Sequence, residues 1–218
     1  MYRKNRPALV VSLLLLFALS LGVLILPSVA GSQDTPMTAA EFHDAMRKLW
    51  EDHITWTRLY IVSFAADLPD TDLVAERLLK NQEDIGDAIR PFYGDEAGDQ
   101  LTQLLKDHIM GAMTILTAAK GGDTAGMEAG VEAWRVNGDD IATFLNSANP
   151  DNWPLEDLKM QMQMHLDLTL AEAQARLAGN FADDIAAYEE VHNHILGMAD
   201  ILSTGIIIQF PDMFAAEG

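Results

Sequence analysis

TAAEFHDAMRKLWEDHITWTRLYIVSF, Thr38 to Phe64, carries its apolar residues at intervals of three and four. Met46, Leu49, Trp50, His53, Tyr60, Ile61 and Phe64 fall on one stripe, because an α-helix completes a turn in 3.6 residues. Its first four residues, TAAE, have the spacing of a capping box, in which Thr38 and Glu41 satisfy each other's backbone N–H. The stretch predicts one long amphipathic helix over 39–66.

The same period continues to the C-terminus, and nowhere do apolar and polar residues alternate as in a strand. The clusters LPDTD, RPFYGDEAG, KGGDTAG, NSANPDNWP and LAGNFADD punctuate the pattern, with Asp70, Asp123 and Asn180 as candidate helix caps. They divide the chain into six helices. The predicted fold is all-α: a six-helix up-down bundle over 38–210, followed by a short C-terminal tail at 211–218.

Self-comparison suggests how the bundle is built. DHITWTRLYIV, DHIMGAMTILT and MHLDLTLAEAQ align as the outgoing helices of three hairpins. The alignment brings His53, His108 and His165 into register, and on the returning helices Asn81, Asn137 and His194. Gly121 and Gly122 lie midway between His108 and Asn137, and Gly179 and Asn180 midway between His165 and His194. A helical hairpin rises and returns by the same 1.5 Å per residue, so each pair should be level across its hairpin. The three histidines should then share one layer.

Composition narrows the function. The chain has 218 residues, 49% of them apolar, enough for one well-packed domain. Fourteen Lys and Arg stand against 33 Asp and Glu, giving a net charge of −19. Such a surface repels phosphate backbones, which argues against nucleic acid as a partner. The chain has no cysteine, so disulfides, thiolate metal sites and cysteine nucleophiles are excluded.

MYRKNR followed by PALVVSLLLLFALSLGVLIL and PSVAGS has the order of an export signal: a basic start, an apolar run, then small residues for cleavage. Residues 1–30 are expected to be a signal peptide or, if retained, an N-terminal membrane anchor, the only membrane contact expected. Residues 31–37 read as a linker. The domain is expected outside the cell or at its surface.

His53, His108 and Asn137 each sit among apolar stripe residues, so they should point inward. Buried polar groups need partners, and two readings follow. In one, His53, His108 and His165 converge as ligands for a divalent transition metal, zinc or copper, or contact a small ligand. Asn81, Asn137 and His194 would orient the rings. Glu51, Asp52, Asp107 and Asp167 adjoin the histidines, although neighbouring residues on a helix diverge by about 100° and cannot all face inward. In the other, each His and its partner are core hydrogen-bond pairs in a structural or protein-interaction module. The first reading implies binding without catalysis. A metal-dependent hydrolase, with Glu51 as base, is a third possibility.

KMQMQMHLDL, Lys159 to Leu168, raises a copper alternative. Met160 and Met164 are one turn apart on one helix face, and thioethers suit Cu(I). Methionine equally fills irregular core gaps. Glu189 and His192 have the spacing used in di-iron bundles, but that motif occurs once where two copies are required.

LWEDHITWTR (Leu49 to Arg58), PFYGD (Pro91 to Asp95) and GIIIQFPDMF (Gly205 to Phe214) resemble a family of small helical bacterial and archaeal proteins. Some of those sequences carry names such as acetylglutamate kinase or glycosyltransferase. Neither activity is supported by a nucleotide loop or an alternating strand and helix pattern in this chain. The resemblance supplies no catalytic residues.

Overall fold

The computed structural model describes residues 37–216. They form α1 (Ala39–Ala65), α2 (Thr71–Tyr93), α3 (Asp95–Gly121), α4 (Thr124–Ala148), α5 (Leu155–Leu177) and α6 (Phe181–Gln209), then a 3-10 turn at Pro211–Met213. The described residues contain no strand, and the fold is an all-α bundle. The expected signal or anchor at 1–30, and all but the last residue of the expected linker at 31–37, lie outside the described residues.

Side-chain caps explain the starts of α1 and α4. At the start of α1, Thr38 N–H donates to Glu41 Oε2 at 2.8 Å and Glu41 N–H to Thr38 Oγ1 at 3.2 Å. Asp123 caps α4 by accepting from Gly126 N–H at 2.9 Å. Asp70 and Asn180, also expected as caps, make no such bond. The Asp70 backbone is itself helical (φ −94°, ψ 0°), whereas a capping side chain reaches over the first turn from extended backbone.

The broad turn expected around RPFYGDEAG is tighter than its composition suggests. α2 continues through Pro91 to Tyr93, and Gly94 alone, at φ +85°, separates it from α3. That conformation costs glycine nothing and an L side chain a strained backbone. Beyond the turn the two backbones touch. A Cβ on Gly86 would stand 2.7 Å from the Gly98 carbonyl, and one on Gly98 2.9 Å from the Gly86 carbonyl.

Each helix packs on its neighbours in the chain, and α6 returns to pack on α1, closing the ring. Short connections make successive helices antiparallel. Inside lie two main apolar clusters. One includes Phe42, Met46, Trp50, Leu105, Met162 and Ile195; the other includes Tyr60, Ile61, Leu78, Leu116 and Ala173. Full burial of one large apolar side chain contributes about 1.5–3 kcal/mol, the term that lets the core carry a polar layer.

The expected C-terminal tail is partly docked. Ala215 N–H donates to the Met37 carbonyl at 3.0 Å, and Phe214 packs on Phe42 and Phe92 with ring centroids 5.4 and 5.6 Å away. α6 is long and apolar enough to cross a membrane by length and composition. In the bundle it is a core helix, burying Val191, Ile195, Met198, Ala199, Leu202 and Ile206.

Candidate metal centre

His53 on α1, His108 on α3 and His165 on α5 meet in the core, each only 2–3% exposed. Their ring centroids form a nearly equilateral triangle with sides of 6.3, 5.8 and 5.8 Å. One ring nitrogen from each lies within 4.8 Å of the other two. A tetrahedral site with metal–nitrogen bonds near 2.1 Å spaces its nitrogens at about 3.4 Å. The ring nitrogens would have to close by up to about 1.4 Å to reach that spacing around an ion.

The helices around the rings are tied together in the same way three times. Asn81 Nδ2 donates to the Leu49 carbonyl at 3.0 Å, Asn137 Nδ2 to the Leu104 carbonyl at 3.1 Å, and His194 Nε2 lies 3.0 Å from the Gln161 carbonyl. Each of these carbonyls belongs to the residue one turn before a core histidine. The histidine carbonyls also accept an added donor: Thr57 Oγ1 at His53, Trp134 Nε1 at His108 and Thr169 Oγ1 at His165.

Two of the imidazoles have their protonation set by amides. His108 Nδ1 lies 3.0 Å from Asn137 Oδ1. Because Asn137 Nδ2 is committed to the Leu104 carbonyl, its oxygen must face the ring, and an amide oxygen can only accept. His108 is therefore the Nδ1–H tautomer, and its lone pair is on Nε2. His53 obeys the same logic: Nδ1 lies 3.2 Å from Gln82 Oε1, while Gln82 Nε2 donates to the Leu78 carbonyl at 2.8 Å. Among the described residues, no hydrogen bond reaches Nε2 of either ring. His165 has no amide behind it, and its Nδ1 is buried without a partner. Its ring lies between those of His108 and His194, at centroid distances of 5.8 and 6.3 Å.

Burial also removes their charge. The dry surroundings lower the pKa of His53 to about 4 and, with added repulsion from His53, that of His108 to about 3. His165 is driven well below the usual imidazole range by burial and then by the other histidines. At neutral pH all three are uncharged and keep a lone pair, the form that binds a metal. Together with Trp50, Met162, Met198 and aliphatic side chains, the rings border a cavity of about 10 Å³. That is the lower limit for one water. Trp50 Nε1 is a second buried polar atom without a partner.

Other residues picked out from the sequence fall elsewhere. Asn81 does not pair with His53; the adjacent Gln82 does, and Asn81 Oδ1 instead accepts from Gln82 Nε2 at 3.2 Å. Leu78, Gln82, Ile85 and Ile89 follow helical spacing, so the apolar stripe already marked Gln82 as inward. His194 serves the Gln161 carbonyl rather than bonding to the His165 ring.

Glu51 is on the surface, where it meets His192 at 3.3 Å, so neither a ligand nor a base for the centre comes from it. Asp52 pairs with Lys48 and Arg77, Asp167 with Arg135, and Asp107 is exposed. Asp52 and Asp107 are one residue from an inward histidine and Asp167 is two, so rotations of about 100° and 200° turn them outward. Met160 and Met164 are 57% and 49% exposed, so the copper pair expected on that helix face lies outside the histidine cavity. Met162, between them, borders the cavity instead. Glu189 is exposed, which leaves no inward di-iron motif there.

A second buried polar group had no counterpart in the sequence reading. Arg58 bonds Glu172 Oε1 at 2.9 Å and both oxygens of Asp184, and Arg176 reaches Asp184 at 3.2 Å. Both carboxylates are fully buried. Glu172 Oε2 has no partner, and burial raises the Glu172 carboxyl to about 7 against the opposing pull of Arg58.

No family model, curated protein or solved structure matches the chain, so the site rests on its own geometry.

Proposed function

We propose that this protein is an exported helical bundle that holds one transition-metal ion between His53, His108 and His165, without catalysis. The observation that carries the reading is the tautomer arrangement. Asn137 and Gln82 hold the Nδ1–H of two rings, which puts their lone pairs on Nε2, and both rings border a small cavity with a third whose Nδ1 has no partner. An unsatisfied buried group such as His165 Nδ1 costs about 1–3 kcal/mol. A cation accepts lone pairs from three neutral imidazoles and offsets that cost.

Binding rather than catalysis suits the surroundings. The rings are buried, the cavity has room for about one small particle, and no carboxylate joins the cluster among the described residues. A metal hydrolase needs an open coordination position, a substrate cleft and a base. Export rests on the leader, whose basic and apolar order is that of a secretion signal.

The rival reading makes the histidines purely structural, with one buried water satisfying the free nitrogens. The bonds from His53 to Gln82 and from His108 to Asn137 favour it in part, since they satisfy half of each ring. Elemental analysis of protein purified without a polyhistidine tag separates the two. About one equivalent of metal in the wild type, lost in His108→Ala and His165→Leu variants that keep their helical circular dichroism, is expected. Metal-free wild-type protein that takes up none of zinc, copper, cobalt or nickel would leave the structural reading standing.

A further inference from the structure

We propose that the ion is monovalent copper, held by the three imidazoles and by the thioether of Met162 or Met198. This rests on the metal reading of the same centre and goes on to name the ion and its fourth donor.

The first argument is the donor set. Every heteroatom side chain bordering the cavity is an imidazole, a thioether or the indole of Trp50. Neutral nitrogen and thioether sulfur suit Cu(I), whereas magnesium, calcium and manganese need oxygen ligands. The sequence drew attention to methionines on this helix. The structure moves that attention from Met160 and Met164, at the surface, to Met162, which is 5% exposed, and to Met198 across the cavity on α6, which is 4% exposed.

The second argument is charge. No carboxylate belongs to the cluster among the described residues, and the buried carboxylates Glu172 and Asp184 are bound to Arg58. An ion held by neutral donors keeps its full charge in the core. The cost of burying a charge grows with its square, so a divalent ion costs about four times as much as a monovalent one. Divalent sites with three histidines offset part of that cost with a bound hydroxide. A cavity of about 10 Å³ leaves scant room for one beside the ion. Trp50, which borders the cavity and whose N–H has no partner, supplies a donor for it, and this is the divalent alternative to be tested.

The test uses the full chain, purified without a tag and stripped of metal. Cu(I) is titrated anaerobically against the chromophoric chelator bicinchoninate, and Zn(II) is titrated in parallel. One Cu(I) per chain, bound more tightly than Zn(II), is the expected result. Met162→Leu or Met198→Leu, each close to volume-conserving, should lower Cu(I) affinity about tenfold or more with little effect on Zn(II). X-ray absorption at the copper edge should show a sulfur neighbour. Zn(II) bound more tightly than Cu(I) and lost in His108→Ala overturns the copper assignment alone. A copper spectrum with nitrogen neighbours only overturns the thioether donor and leaves copper on the imidazoles. No binding of either ion, or binding unchanged in His108→Ala and His165→Leu, overturns the centre itself and the copper inference with it.

Discussion

The Nδ1–H of His108 donates to Asn137 Oδ1 at 3.0 Å, while the other end of that amide is held 3.1 Å from the Leu104 carbonyl. One side chain on α4 thereby fixes both the spacing of two helices and the nitrogen that His108 offers to the core. Gln82 performs the second task for His53 from α2. The chemistry of the centre is set from behind, by groups an ion would not touch.

Replacing those amides should therefore weaken metal binding while leaving the ligands in place. Asn137→Leu and Gln82→Leu each remove the acceptor that fixes the tautomer. Loss of such an outer partner lowers affinity about 10- to 100-fold. Chelator competition measures the loss. Nitrogen-15 spectra of the metal-free wild type should show His53 and His108 as Nδ1–H tautomers.

The metal-free protein should lose stability in acid. His53 and His108 have pKa values lowered to about 4 and 3, so as pH falls below about 6.5 the unfolded chain takes up protons that the folded core refuses. Stability present above 6.5 is lost progressively towards pH 3. Glu172 works in the opposite sense. Raised to about 7, it keeps a proton that the unfolded chain has released above pH 4.5, and that contribution fades as pH rises to 7. Three imidazoles outweigh one carboxyl, so urea midpoints in a metal chelator should decline from pH 7 to pH 5.

Arg58→Met should be among the most damaging single changes. It leaves Glu172 and Asp184, both fully buried, without their main counter-charge. Breaking a buried pair from one side costs about 3–5 kcal/mol. Chemical denaturation should show the loss, and Arg58→Lys should recover part of it.

Gly86→Ala tests the contact between α2 and α3. The added methyl meets Thr102 Oγ1 at 2.0 Å and the Gly98 carbonyl at 2.7 Å. The hydroxyl can rotate away; the carbonyl belongs to a helix and cannot. Overpacking of this kind costs about 1–3 kcal/mol, so the melting temperature should fall even though alanine is the better helix former.

Met160→Leu combined with Met164→Leu should leave metal affinity unchanged, because both side chains are about half exposed and outside the cavity. A loss equal to that from Met162→Leu would shift the copper site to the helix surface.

The fold was largely legible because its signals are local. The capping box at Thr38 and the three-and-four spacing along α1 each concern residues within one or two turns. The three histidines could be aligned because a level hairpin follows from counting residues out and back. Their tautomers could not. Whether Asn81 or Gln82 faces His53 depends on a helix rotation of about 100°, and the stripe through Leu78 and Ile85 was the only guide. The Arg58 network was hidden for a different reason. It joins residues 114 and 126 positions apart, on three helices, and no spacing rule connects them.

The most direct test of the centre is an anomalous-difference map from a crystal of protein loaded with Cu(I), recorded at the copper edge. One peak enclosed by His53, His108 and His165, about 2.1 Å from one nitrogen of each ring, is predicted. A peak elsewhere, or no peak at the rings from crystals loaded with Cu(I) or, at the zinc edge, with Zn(II), would contradict it.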